Sequence, residues 1–579
     1  MESSNQPFYR GGMDDQIVTA PNGARVNADY ARFMENASWS EVRNWSVSDS
    51  VNVITGYGLP NYTFVEGESG LIIFDSGVNK GMGVKLLEKK NAFSSKPISA
   101  IVYTHHHYTG GAGGILERQG TPDLPIYGHP KLNQNLLNSF LILGGAQRRR
   151  GPMQMGHYLP DTGPDAFYAI EEPHFDNPDL NTHAHRPVTH PVQHGESVVI
   201  DGVEFVFYHV IADTDDSLVI HVPSQDLVIH NAAVMPFLFP LYTLRGDFYR
   251  SVPDMVAGID LIRSLEPRAL VGCHGHPILG RQQAEAQLLR HRDAYSFLYQ
   301  QTVKGINEGR TPEELARSVK LPSHWASAPD LYPAYVDVEH IVRGIYRGLI
   351  GWWSENSADL YPPESTEFDR ELIEGFGGVD QVVNRAKRAA DGQRYNLAAK
   401  LLTSAVNVDQ NHPEARKMLS RVLRHMAQTT PTGVQSRSYL LTEALHWEGK
   451  VDRTGPPQGS RGFPPPSVAS MLSMPPAALV STLQFKADAK AADDVDITAT
   501  LKFHDVKESF NIAIRGGAVE ITEGILEHPS LTLEMSYETW VRIVLRQQDL
   551  KDLTETGQVV LSGSRENFNA FLAVYSNVL

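Results

Sequence analysis

Three consecutive histidines, His105, His106 and His107, follow an apolar run, Ile98-Ser-Ala-Ile-Val-Tyr103, and lead into Tyr108-Thr109-Gly110-Gly111. Imidazole is a common ligand for zinc and related divalent metals, and two imidazoles at i and i+2 on an extended turn can address one ion. A loop leaving the end of a strand is a frequent position for such a site. The alternative is a surface loop or a set of imidazoles satisfied by packing. Tyr108, beside the histidines, could donate a proton or a hydrogen bond to a substrate, or simply pack against the loop. The histidines of Thr182-His183-Ala184-His185 and His190 have ligand-like spacing, but they stand among Asn, Pro and Thr and read as a solvated loop. Cys273 precedes His274 and reads as a buried free thiol rather than a soft ligand.

The elements that must carry these residues alternate between strands and helices from about Val51 to Gly280. Val51–Ile54, Tyr62–Glu66 and Leu71–Asp75 read as strands, the last two forming a hairpin through a Gly-rich turn. A helix near Met82–Lys90 follows, then strands at Ile98–Tyr103, Glu204–Tyr208, Leu218–Val222, Asp226–Ile229 and Ala269–Gly272. This is the pattern of an α/β layered domain. From about Arg281 to Trp447 helical periodicity takes over, with long helices expected at Gln283–Gly305 and Pro333–Gly351 and one tetratricopeptide-like hairpin within Gly375–Met426. A Pro/Gly/Ser-rich stretch, Gly449–Pro476, reads as a linker. Alternating strands at Leu501–His504, Phe510–Arg515, Ala518–Ile521 and Leu531–Met535, then helices at Tyr537–Arg546 and Arg565–Tyr575, make a final α+β domain.

The chain has 579 residues, 41% hydrophobic and 20% charged, an ordinary globular mix that excludes a largely disordered or fibrous protein. Its net charge of −16 disfavours non-specific binding to nucleic acid or to an anionic membrane. The single cysteine cannot form an intrachain disulfide. No run approaches the ~20 apolar residues of a membrane span, and the opening Met1-Glu-Ser-Ser-Asn-Gln-Pro lacks the basic and apolar regions of a signal peptide. A cytoplasmic, multidomain protein is expected.

The segments Leu71-Ile-Ile-Phe-Asp-Ser-Gly77 and Ala100-Ile-Val-Tyr-Thr-His-His-His107 resemble the core of a metallo-β-lactamase-fold hydrolase. Within that superfamily the chain resembles the alkyl sulfatases, through Leu241-Tyr-Thr-Leu-Arg-Gly246, Ala294–Tyr299, Gly309–Glu314, Tyr346–Trp352 and Ala398–Leu402. The resemblance implies an αββα sandwich over 1–285, a helical dimerisation domain over 286–450, a linker over 451–475 and a sterol-carrier-protein-like α+β domain over 476–579. It departs at the metal loop, which in the family reads Thr-His-x-His-x-Asp-His-x-Gly-Gly and binds two zinc ions. Here Tyr108 runs straight into Thr109-Gly110-Gly111, as though the Asp-His pair had been excised. The family's acidic segment is replaced by Ala212-Asp-Thr-Asp-Asp-Ser217, in which Asp213 is the nearest equivalent of one acid.

What is left implies a mononuclear site built from His105, His107 and His274, with His230 at another strand end; His276 is a weaker candidate. Zinc is expected, with iron, manganese or copper also compatible. Arg245 matches a family segment near the sulfate-binding region and suits an oxyanion, or else it fixes the turn by a salt bridge. Arg148-Arg149-Arg150 could line an anion pocket or be a solvated helix end. Asp75 resembles the structural aspartate that supports the metal loop. The apolar run Met235–Tyr242 could receive a hydrophobic tail, or be core or dimer contact. The expected protein is a homodimeric metal-dependent hydrolase of small, hydrophobic-tailed anionic esters, or one with a diverged metal-dependent reaction. The alternative is an inactive lipid-binding or scaffold relative.

Overall fold

The computed structural model describes residues 16–36, 42–169, 174–457, 467–472 and 474–579. The expectations about the first residues of the chain and about part of the linker, 458–466 and 473, fall outside these. A small ribbon, β1 (Ile17–Thr19) and β2 (Arg25–Asn27), opens the described chain.

Two sheets then stack. The first, of seven strands, runs in sequence order through β3 (Arg43–Ser48), β4 (Val51–Thr55), β5 (Tyr62–Glu66), β6 (Leu71–Phe74), β7 (Ile98–Val102), β8 (Ile126–Gly128) and β9 (His190–Pro191). The second, of six strands, comprises β10 (Glu196–Ile200), β11 (Val203–Val210), β12 (Ser217–Val222), β13 (Leu227–His230), β14 (Ala269–Gly272) and β15 (Ile278–Leu279). β5 and β6 form the expected hairpin, with Glu66 opposite Leu71.

Strand periodicity divides each apolar run between two layers. Ile72 and Phe74 join Phe205, Phe207, Leu227 and Ile229 between the sheets. Their neighbours Leu71 and Ile73 pack outward against Met82 and Leu86 of the helix Lys80–Lys89. On the opposite face Val228 packs in one core with Leu288, Tyr295, Ile341 and Ile345 of the helical domain. Strands covered on both sides read as near-continuous hydrophobic runs, as these do. Helices therefore flank both sheets, and the αββα expectation holds.

The helical region includes Arg281–Asn307, Val338–Ile350 and the neighbours Val379–Asp391, Tyr395–Val408 and Pro413–Thr429, the last three sharing their own core. The second long helix begins five residues later than its apolar pattern suggested. Asp337 is extended (φ −73°, ψ 144°), and its carboxylate accepts hydrogen bonds from Thr432 and Ser436 rather than capping the helix. The C-terminal domain is a five-stranded sheet in the order β18 (Ala518–Glu523), β17 (Glu508–Arg515), β16 (Asp496–Phe503), β19 (Leu531–Met535), β20 (Val560–Gly563). Helices Tyr537–Val544 and Arg565–Val574 pack on it around the buried Trp540. Leu141, from the sandwich domain, packs against this core.

The run Met235–Tyr242 belongs to the core joining sandwich and helical domain, with Phe237 stacked on Tyr335 and Phe239 2% exposed or less. Of its readings, core is the one the structure supports. No described helix is long and apolar enough to cross a membrane.

Candidate metal centre

The functional side chains gather where strands of both sheets end, the usual place for a site in layered α/β folds. After β7 the backbone passes through Thr104 and His105 into a single 3-10 turn, His106–Tyr108. Asp75, at the end of β6, is held at φ 60°, and its two oxygens accept hydrogen bonds from Thr104 N (2.9 Å) and Thr104 Oγ1 (2.7 Å). The Tyr108 carbonyl accepts from Ser76 N and Gly77 N. The helix after β6 presses so closely on this loop that a Cβ at Gly83 would collide with the Gly111 carbonyl, and one at Gly111 with the Ser76 carbonyl. Thus the double glycine after the histidines is a packing requirement of the shortened loop. On the other side Leu218 N donates to Thr104 O, which ties β12 to the same turn.

Three donor atoms meet here. His105 Nε2 lies 3.1 Å from His107 Nδ1, His107 Nδ1 lies 2.7 Å from Asp213 Oδ2, and His105 Nε2 lies 3.4 Å from that same oxygen. A tetrahedral ion with bonds of about 2.0–2.1 Å places its ligands roughly 3.4 Å apart; two sides of the triangle are close to that, and the 2.7 Å side is a His107–Asp213 hydrogen bond whose proton an incoming cation would displace. The donor chemistry also fits, because two imidazoles and one carboxylate suit zinc and divalent iron alike. Asp213 enters from the turn between β11 and β12 and completes a set that the histidines alone left open.

Hydrogen bonds orient these donors. Thr104 Oγ1 gives its proton to Asp75, so it accepts from His105 Nδ1 at 3.0 Å and leaves Nε2 with its lone pair toward the triangle. Burial opposes the Asp213 charge, yet the Arg250 guanidinium and the two imidazoles hold its carboxyl well below the usual range. Burial pushes His107 down to about 4. Asp75, in contrast, is pushed up to about 6 by burial. Asp75, His105 and Cys273 also lie within ligand distance of one another, but Asp75 is already engaged by Thr104, and burial raises the Cys273 thiol well above its ordinary value.

Arg245 reaches this centre. Its Nη2 stands 3.3 Å from His107 Nε2 and 2.6 Å from Asp247 Oδ2. Asp247 in turn meets Arg250 at 3.3 Å. Of the two readings of Arg245, the salt bridge is the one the structure shows. Tyr108 is buried, with ring centroids 5.1 Å from His105 and 5.6 Å from His274. His274 donates from Nδ1 to Leu59 O at 2.9 Å, which leaves Nε2 as its lone-pair nitrogen. Burial pushes it down to about 4.

His230 is separated from the group. Its Nδ1 accepts from Ala232 N at 3.1 Å, so the neutral ring carries its proton on Nε2 and has no lone pair for a cation. Burial pushes it down to about 3. Among the described residues, neither His230 nor His274 belongs to a group of three donors within 4.8 Å. His276 packs on Trp45, away from the triangle. The segment Thr182–His185 departs from its solvated reading, since His185 is 6% exposed and packs on Tyr103. The arginine run occupies the helix Gly144–Gln154, with Arg149 and Arg150 exposed.

Sequence reasoning missed Asp247, Arg250 and the pairing of His106 with Asp216. The signal available for the last was the acid-rich turn Asp213-Thr-Asp-Asp216 between two strands whose ends face the histidine loop.

Three family models match the chain: metallo-beta-lactamase superfamily over residues 55–254, alkyl sulfatase dimerisation over 311–449 and alkyl sulfatase C-terminal over 466–577. A linear primary-alkylsulfatase from Pseudomonas sp. is 28% identical over 527 residues, covering 88% of this chain and 98% of that protein. An alkyl/aryl-sulfatase from Saccharomyces cerevisiae is 22% identical over 609 residues, covering 98% and 90%. The solved structure of a stereoselective inverting sec-alkylsulfatase from Pseudomonas sp. superposes with a TM-score of 0.82 at 22% identity, covering 95% of this chain and 86% of that one. Three regions of this chain thus match models of the metallo-beta-lactamase superfamily and of the alkyl sulfatase dimerisation and C-terminal domains, and the chain is similar to alkylsulfatases over nearly its whole length.

Proposed function

We propose that this protein is a metal-dependent hydrolase of sulfate esters with an apolar alkyl tail, working from a mononuclear centre. His105, His107 and Asp213 would hold the cation, with His274 facing them across the Tyr108 ring. The observation that carries the reading is the 2.7–3.4 Å triangle of donor atoms, oriented by Asp75 and Thr104 on one side and by Arg250 on the other. When bound, a divalent cation supplies Lewis-acid polarisation of an ester oxygen and acidifies a water at neutral pH.

The protein's own groups set the charge. Around the triangle the carboxylates of Asp213 and Asp247 face the guanidiniums of Arg245 and Arg250, so these four cancel. A divalent ion would then add positive charge beside Arg245, which suits a sulfate monoester. Arg245 would hold the sulfate oxygens through its planar fork, while Asp247 keeps that guanidinium in place. Tyr108 would line the pocket between His105 and His274 and offer its hydroxyl to the ester. Zinc and divalent iron both suit this donor set. A homodimer through the helical domain follows from the kinship of residues 311–449 with the dimerisation domain.

The test is elemental analysis of the purified protein combined with sulfate release from a medium-chain alkyl sulfate. One ion per chain and release that disappears in His105→Ala and Asp213→Asn are expected. Less than one ion per chain, with no sulfate released, would favour the inactive lipid-binding relative.

A further inference from the structure

His106 takes no part in the donor triangle, yet both of its ring nitrogens have side-chain partners. Its Nδ1 lies 2.9 Å from Asp216 Oδ1, and its Nε2 lies 3.3 Å from Ser139 Oγ. Asp216 is fully buried and His106 3% exposed, whereas Ser139 is only half-buried. A hydroxyl, an imidazole and a buried carboxylate in this order make the arrangement of an activated serine nucleophile. We propose that Ser139, His106 and Asp216 form a second hydrolytic centre, independent of any cation, that cleaves carboxylic esters with a hydrophobic acyl chain.

The tautomer is set by the carboxylate. Burial opposes the Asp216 charge, but the adjacent His106 outweighs it and holds the carboxyl below its ordinary range. An ionised carboxylate only accepts hydrogen bonds, so the His106 proton sits on Nδ1 and the Nε2 lone pair faces the Ser139 hydroxyl. The 3.3 Å contact is at the long end, as is common for such contacts before a substrate is bound. Ser139 is aimed by a wide helical turn, Asn138–Ile142, closed by a bond from Leu143 N to Asn138 O at 3.0 Å. Turns of this type insert one extra residue and recur at functional sites.

The same turn indicates the substrate class. Leu141, two residues after Ser139, packs against the apolar core of the C-terminal domain. The nucleophile therefore sits where two domains meet beside apolar surface, the environment that an acyl chain needs. A carboxyl carbon is also the electrophile that serine oxygen attacks readily. The Ser139 Oγ–carbon bond forms as His106 Nε2 takes the hydroxyl proton. The ester C–O bond then breaks, and the alcohol leaves with that proton. Water attacks the acyl-serine by the reverse proton path, releasing the carboxylic acid and restoring Ser139. Asp216 positions the imidazole and touches no substrate.

The experiment treats the full chain with a long-chain alkyl fluorophosphonate, which phosphonylates activated serines with loss of fluoride, before and after removal of metal by chelator. Peptide mass spectrometry is expected to find one phosphonyl group, on Ser139, formed equally fast in both preparations. Ser139→Ala should abolish it with its metal stoichiometry intact, and His106→Gln should slow it at least about 100-fold. For Asp216 the readout is a far-downfield imidazole N–H proton signal, present in the wild type and lost in Asp216→Asn. An unlabelled Ser139, an adduct on another residue, or wild-type labelling of His106→Gln overturns the proposal, and none of these bears on the sulfate-ester reading.

Discussion

His107 Nδ1 and Asp213 Oδ2 stand 2.7 Å apart although they come from different sheets of the sandwich. The contact closes the donor triangle, and it depends on Arg250, whose guanidinium meets the same carboxylate from behind.

Arg250→Ala should leave the buried Asp213 charge without its cationic partner. Breaking such a pair from one side costs about 3–5 kcal/mol. A chemical denaturation curve of the metal-free protein measures this, and an unchanged midpoint would show that the pair contributes nothing.

Metal should stabilise the folded chain by mass action, about 2.7 kcal/mol when the free ion is at 100 times its dissociation constant. Melting temperature should rise with added zinc in the wild type and in His230→Ala. It should not rise in Asp213→Ala or His105→Ala. A shift lost in His230→Ala would mean that the Ala232 N–H does not occupy that ring's lone pair.

Arg245→Lys should keep the metal but lower kcat/KM for a sulfate ester by roughly 10–100-fold, since an ammonium cannot reproduce the planar fork. Steady-state kinetics alongside elemental analysis separate this outcome from loss of the ion.

Between about pH 4 and 7 two buried groups should pull stability in opposite directions. Burial, aided by the neighbouring His209, holds His129 down at about 4. Between that value and the ordinary value near 6.5 the unfolded chain binds the extra proton, so stability drops as pH falls. Burial and Asp337 push Glu339 up to about 7, so there the folded chain binds the extra proton. That contribution is full below about pH 4 and is lost as pH rises through 7. Within this window Glu339→Gln should therefore make stability climb more steeply with pH, and His129→Gln should reduce that climb by up to one proton's share, about 1.4 kcal/mol per pH unit. Denaturant titrations from pH 4 to 9 read both.

Exposed apolar residues gather after the helix Val338–Ile350: Trp352 is 65% exposed, Phe368 58% and Tyr361 92%. They lie within the dimerisation region, residues 311–449. If they cover a partner copy, Trp352→Glu with Tyr361→Glu should halve the mass measured by light scattering. A dimer that persists in this double variant would place the interface elsewhere.

Much of the architecture was legible because burial writes itself into local pattern. Runs such as Ile98–Val102 and Leu227–Ile229 are apolar on both faces since each lies between two covered layers, and the composition change near Arg281 marks the turn to helices. The histidine loop was legible for the same reason, as a polar cluster at the end of a strand. The start of the helix at Val338 was not, because Asp337 is claimed by Thr432 and Ser436 from far along the chain.

By itself the order of residues determined which side chains could bind a cation and on which strand ends they sit. Only the tertiary structure decided among them. It turned Asp213 and Arg250 inward, gave the His230 lone pair to Ala232, and set His106 between Ser139 and Asp216. Coordination and proton transfer depend on directed lone pairs a few ångströms apart, and those directions arise only when strands from both sheets stack.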